Sequence, residues 1–144
     1  AEPADFPAAT PTPGPRARED TRERILAVDD EDMLLTVVTR ALEQRYDLVC
    51  ARSGSEAMEI LQKDKDFDLV LCDLHMPSVS GAELHDWAVD HDPDLASRFV
   101  FMTAGAFTPR TVEFLKRVPN AQIRKPFEVA QLREFVEVLL GVPA

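Results

Sequence analysis

Between residues 24 and 141 the chain alternates short apolar runs with stretches of helical period, and this alternation restricts the possible folds more than any other feature. Residues 25–28, 47–51, 67–72, 99–102 and 121–124 are short and rich in Val, Ile, Leu and Phe, the composition of buried strands. Five helical stretches lie between and after them. The first carries Leu35, Val38 and Leu42 on one face behind Asp32 as its expected cap. The second opens with Ser53 and Glu56 at capping-box spacing and continues with Ala57, Ile60 and Leu61. The third covers about 82–91 and stacks Leu84 with Trp87 or Ala88. The fourth follows Thr108 as cap, has Pro109 at its first position, and presents Val112 and Leu115. The last sets Leu132, Val136 and Leu139 on one stripe and stops near Gly141.

Strands alternating with helices form βαβ units, whose strands run parallel and whose helices cover both faces of the sheet. The expected class is a doubly wound α/β domain. In that architecture ligands bind beyond the carboxyl ends of the strands.

The termini of the chain differ in composition from this core. The first 22 residues hold five of the eleven prolines (Pro3, Pro7, Pro11, Pro13, Pro15) and almost no aliphatic side chain. Such a segment buries too little apolar surface to offset its ordering entropy, so residues 1–22 are expected to be a linker or tail and 23–142 the folded domain. The chain opens on Ala1 rather than Met, which fits a piece of a longer protein with another module upstream.

Charge narrows the partners. With 26 acidic and 16 basic residues in 144, the net charge of −10 opposes contact with nucleic-acid backbones and anionic lipid. No run of about eighteen apolar residues occurs, and the N-terminus lacks the apolar stretch of a secretory signal, so the expected location is the cytoplasm, with no membrane contact. Cys50 and Cys72 lie inside strand-like runs and are expected to be buried, reduced thiols.

The ends of the strands carry the chemistry. Strand one ends in Asp29, Asp30 and Glu31, strand three in Asp73, strand four in Thr103, and strand five in Lys125 followed by Pro126. In a parallel sheet all of these reach one rim. Clustered carboxylates repel unless a cation offsets them, and a hard ion such as Mg²⁺ takes one or two carboxylates together with phosphate-type oxygens. The expectation is a metal-assisted phosphoryl site. Asp73 is its nucleophile, Lys125 neutralises a phosphoryl oxygen, and Thr103 donates a hydrogen bond.

In combination these residues resemble a known family. Asp29-Asp30 follows Ile-Leu-Ala-Val, Asp73 sits in Phe-Asp-Leu-Val-Leu-Cys-Asp-Leu-His-Met-Pro with Gly81 beyond, and Thr103-Ala104 precedes Lys125-Pro126-Phe127. The pattern is similar to the receiver domain of two-component response regulators over residues 24–141. The resemblance implies a flavodoxin-like (βα)5 fold with strand order 2-1-3-4-5 and Asp73 as phosphoacceptor. It also implies that Asp30, Asp73 and the backbone carbonyl of His75 ligate Mg²⁺, with Asp29 acting largely through water. Thr103 would follow the phosphoryl group and Lys125 would contact it, through a cis bond to Pro126. The implied partner is a histidine kinase or histidine phosphotransfer domain, within a hybrid sensor kinase or, alternatively, a single-domain regulator; a homodimer is compatible.

One position departs from the family. Three residues before the lysine many receivers carry Tyr or Phe, whose rotamer couples phosphorylation to the output face; here it is Gln122. A degenerate receiver used for docking therefore stays open. A small-molecule phosphohydrolase of the aspartyl-phosphate type fits poorly, because its nucleophile lies in Asp-x-Asp after the first strand. A flavodoxin-like cofactor binder fits poorly too, because Asp-Asp-Glu-Asp at 29–32 repels phosphate.

Other residues read as structural. Cys72 and His75 lack the further ligands that zinc requires. His85 and His91 are expected on the solvated face of the third helix. Phe107, Phe114 and Phe127 are expected to pack, with a partner contact open for Phe107.

Overall fold

The computed structural model describes residues 22–104 and 108–141. Five strands, β1 (Arg24–Val28), β2 (Asp47–Ala51), β3 (Leu69–Asp73), β4 (Phe99–Ala104) and β5 (Gln122–Lys125), form one parallel sheet in the order β2-β1-β3-β4-β5. Six helices accompany them: α1 (Asp32–Leu42), α2 (Gly54–Lys63), α3 (Gly81–His91), α4 (Pro93–Ser97), α5 (Pro109–Arg117) and α6 (Val129–Leu140). The expected doubly wound α/β class and strand order are both present.

The period-two alternation of each strand divides the core in two. Ile25, Ala27, Leu69, Leu71, Val100 and Met102 point toward α1 and α6, where they meet Leu35, Val38, Leu132 and Val136. Leu26, Val28, Val70, Cys72, Phe99 and Phe101 point the other way, against Ala57 and Leu61 of α2, Leu84 and Ala88 of α3, Leu95 of α4 and Phe114 of α5. Burial on both faces explains why the central strands read as unbroken apolar runs.

Several local expectations change. The short helix α4 escaped the periodicity reading because it spans one turn. Its origin is Asp92, whose backbone N–H closes α3 on Ala88 O at 2.7 Å while its side chain accepts from Leu95 N at 3.3 Å. Asp32 is not the cap of α1 but its first residue; the cap position is Glu31, whose side chain makes no capping bond. At α2, Ser53 accepts from Glu56 N at 3.0 Å, but Glu56 returns its bond to Arg52 N at 2.8 Å rather than to Ser53. β3 begins at Leu69, two residues later than expected; just before it Asp68 exchanges bonds with Arg24, its N–H donating to Arg24 O and its carboxylate accepting from Arg24 N, both at 2.8 Å.

Burial corrects three more. Leu132 and Val136 are fully buried, whereas Leu139 is 39% exposed, because the stripe turns outward at the end of α6. Cys72 is buried as expected, but Cys50 is exposed on the edge strand β2, its Sγ 4.0 Å from Thr39 Oγ1 of α1; both thiols are free. His85 does not face solvent. It is 5% exposed, with edge-on contacts to Phe99, Phe101 and Phe114 at 5.6, 5.6 and 5.5 Å between ring centroids. Within α3, Leu84 and Ala88 are the fully buried pair, and Trp87 stacks on His91 nearer the surface. Phe114 and Phe127 are buried; Phe107 lies outside the described residues.

Candidate phosphoryl site at the carboxyl rim

Alternation also decides which rim residues meet. Asp29 continues the parity of Ile25 and Ala27, Asp73 that of Leu69 and Leu71, and Lys125 that of Ile123, so all three lie on the α1 and α6 side of the sheet. Thr103 continues Phe99 and Phe101 and approaches from the other side. Parallel pairing brings the strands level: Asp73 lies beside Met102, and Ala104 beside Lys125.

The Lys125 ammonium is the hub. Nζ is 2.8 Å from Asp29 Oδ2, 3.3 Å from Glu31 Oε1 and 3.4 Å from Asp73 Oδ1, with the lysine side chain 11% exposed. Asp29, Asp73 and Thr103 are buried, while Asp30 and His75 are exposed at the mouth. Asp29 Oδ1 accepts from Glu31 N at 2.9 Å, and His75 N lies 3.4 Å from Asp73 Oδ1. The bond from Lys125 to Pro126 is cis.

These environments shift protonation in a consistent way. Burial raises the Asp29 carboxyl above its ordinary range, opposed by Lys125 and the Glu31 N–H. Burial and the neighbouring Asp29 charge push Asp73 up to about 6 against the pull of Lys125. For Lys125, burial disfavours the charge, but Asp29, Asp73 and Glu31 together outweigh it and raise the pKa. The ammonium therefore stays charged and holds the carboxylates together.

The donor set fits a small hard cation. One carboxylate oxygen from each of Asp29, Asp30 and Asp73 lies within 4.8 Å of the other two. Ligands about 2.1 Å from an octahedral ion lie at most about 4.2 Å apart, so a small inward shift would bring these oxygens onto such an ion. Two glycines give the loops room. A Cβ on Gly81 would stand 2.3 Å from Asp73 O, and one on Gly54 would stand 2.4 Å from Val79 O, so the segment after β3 folds back only because both positions lack a side chain. Ser78 in that segment adopts a positive φ of 67°.

All the residues singled out at the strand ends thus reach one rim: Asp29, Asp30, Asp73, Thr103, Lys125 and the His75 backbone. Gln122 lies apart, exposed on β5 beside Phe101. Glu31 was visible as the third carboxylate of a run, but its grip on Lys125 was not, because that contact joins positions 94 residues apart.

A parallel five-stranded sheet that gathers carboxylates and a lysine at its carboxyl rim has the architecture expected of a two-component receiver domain. Residues 25–137 match the response regulator receiver domain family, and the chain belongs to that family, the receivers of two-component signalling. It is 30% identical over 119 residues to the response regulator receiver protein CpdR of Brucella abortus, covering 82% of this chain and 97% of that one. It is also 28% identical over 142 residues to histidine kinase 3 of Arabidopsis thaliana; the match covers 84% of this chain but spans only 14% of that relative's length. Among solved structures, the signal receiver domain of a signal transduction histidine kinase from Syntrophus aciditrophicus is 30% identical, with a TM-score of 0.71 over 83% of this chain and 92% of that one.

Proposed function

We propose that Asp73 accepts a phosphoryl group from the phosphohistidine of a histidine kinase or histidine phosphotransfer domain, in a Mg²⁺-dependent reaction. The observation that carries this reading is the meeting of Asp29, Asp73 and Lys125 within 3.4 Å of one ammonium, beside the exposed Asp30. A carboxylate oxygen of Asp73 forms the new P–O bond while the P–N bond to the donor imidazole breaks, and the leaving imidazole keeps the electron pair. Asp30, Asp73 and the His75 carbonyl would hold the cation, with Asp29 largely through water. The chemistry such a cation would supply is positive charge to offset that of the phosphoryl oxygens during transfer.

The remaining steps belong to the chain's own side chains. Lys125 gives up part of its contact with the carboxylates around it to meet a phosphoryl oxygen. Thr103, on the opposite pleat, turns its hydroxyl toward the same group, and its branched side chain has few rotamers to choose from. The acquired charge then biases the segment after β4.

The context we assign is a receiver at 23–142 behind a linker at 1–22, within a hybrid histidine kinase, supported by the likeness to histidine kinase 3 and to a histidine kinase's receiver. A single-domain regulator is the second reading, favoured by the near-complete coverage of CpdR. In both, the site works in the cytoplasm; among the described residues no helix is long and apolar enough to cross a membrane.

The test is intact-mass analysis after incubation with acetyl phosphate and Mg²⁺. We expect one added phosphoryl group, absent in Asp73→Asn and absent without Mg²⁺. Acid-labile phosphate retained by Asp73→Asn overturns the acceptor assignment. No added mass where a control receiver is modified supports a docking role instead, as the exposed Gln122 in place of an aromatic would allow.

A further inference from the structure

Lys125 is shared by more carboxylates than phosphoryl chemistry requires. Asp29 and Asp73 flank it inside the site, and Glu31 reaches it from solvent at 3.3 Å with its own side chain 66% exposed. Glu31 lies outside the group of carboxylates close enough to share a cation. Its backbone is turned by the bond from its N–H to Asp29 Oδ1, and it stands at the cap position of α1 without capping the helix. A cap residue that leaves the N-terminal N–H groups of its helix unserved forgoes stabilisation typical of that position. Here the side chain is spent on Lys125.

We propose that Glu31 is a positioning residue that competes with the incoming phosphoryl group for the Lys125 ammonium. This rests on the acceptor reading given above. Three carboxylates lie within 3.4 Å of an ammonium with three N–H donors, and the contact to Glu31 has hydrogen-bond geometry, so a phosphoryl oxygen gains that donor only when Glu31 yields. Asp29 is fully buried and closest, and losing its ion pair would leave a desolvated charge. Glu31 is exposed, so water replaces the ammonium at little cost, and its contact is the one that opens. The segment after β1 thereby sets how readily Lys125 crosses from the unmodified to the modified state.

The geometry separates this role from simple repulsion of anions at the mouth. Glu31→Gln removes charge and contact, whereas Glu31→Asp keeps the charge but shortens the arm and returns the side chain to a residue type that caps helices. Glu31 is exposed, so both variants retain the fold.

The experiment titrates beryllofluoride, a phosphoryl mimic, into wild type, Glu31→Gln and Glu31→Asp at saturating Mg²⁺, and records the Lys125 ammonium by ¹⁵N NMR without ligand. We expect the Lys125 signal to move in both variants and both to bind beryllofluoride about two- to fivefold tighter, the range set by one partly exposed ion pair. Tighter binding by Glu31→Gln alone assigns the effect to lost repulsion and overturns the positioning role, as does an unmoved Lys125 signal or equal affinity in all three. Failure of wild type to bind beryllofluoride while the Lys125 signal moves in both variants refutes the acceptor reading itself, and the competition with it.

Discussion

His85 shows how far a single residue can depart from its sequence context. On either side stand Leu84 and Asp86, and the helix carries two further acids, yet the ring is enclosed by Phe99 and Phe101 of β4 and Phe114 of α5. Burial lowers its pKa below the ordinary value, Asp86 at 4.0 Å opposes that, and Arg117, 3.8 Å from Asp86, adds to it. Its Nδ1 has no hydrogen-bond partner. A histidine held neutral in the folded state contributes stability above its unfolded pKa of about 6.5, and that contribution is lost as pH falls below it. Urea unfolding at pH 7.5 and 5.5 should therefore show a larger acid-side loss for wild type than for His85→Leu. Asp29 and Asp73, raised by burial, act in the opposite sense in both proteins, so the difference isolates His85. Gly81 makes a second residue-scale prediction. Gly81→Ala places a methyl 2.3 Å from Asp73 O and should cost about 1–3 kcal/mol of stability, read from the urea midpoint.

Among the elements, α6 and α5 illustrate when periodicity is a sufficient guide. Leu132 and Val136 are fully buried against the α1 side of the sheet, whereas Leu139, on the same stripe, is 39% exposed. Leu132→Ala should destabilise by about 2–5 kcal/mol, while Leu139→Ala should stay within about 0.5 kcal/mol of wild type; equal losses would contradict the packing described. Local signals held where the chemistry is local. Thr108 caps α5 as its sequence position implied, accepting from Thr111 N at 3.1 Å; the reciprocal capping box of Ser80 and Glu83 at α3 was not among the expectations. Gly141 ends α6 in the left-handed conformation, with φ of 65°. They failed at α1, where Glu31 takes the cap position and its side chain is committed to Lys125 across the rim.

At the scale of the whole molecule, the sheet gathers carboxylates that repel each other, and one buried lysine offsets only part of their charge. A cation that binds the folded rim and not the unfolded chain stabilises by mass action. On the proposed reading, millimolar Mg²⁺ should raise the thermal midpoint of wild type, chelation should reverse it, and Asp30→Asn should abolish the response while folding normally, since Asp30 is exposed. Thermal denaturation with and without the metal reads all three. An unchanged midpoint in wild type would count against the cation site.

Much of this was legible in the amino-acid order. Alternation of apolar runs with helical stripes specifies five strands and their βαβ linkage, because burial on both faces and on one face leave different periods. The acidic run after β1, Asp73 after β3, Thr103 after β4 and Lys125 after β5 follow from the same reading, because a parallel sheet delivers every strand's end to one rim. Three features were decided only by tertiary packing. Glu31 meets Lys125 across 94 positions, His85 is enclosed by phenylalanines of β4 and α5, and Cys50 is exposed because β2 is the sheet's edge. Each depends on which strand neighbours which and which pleat face carries which helix. Those relations are set by the energetics of the assembled sheet, and no local periodicity encodes them.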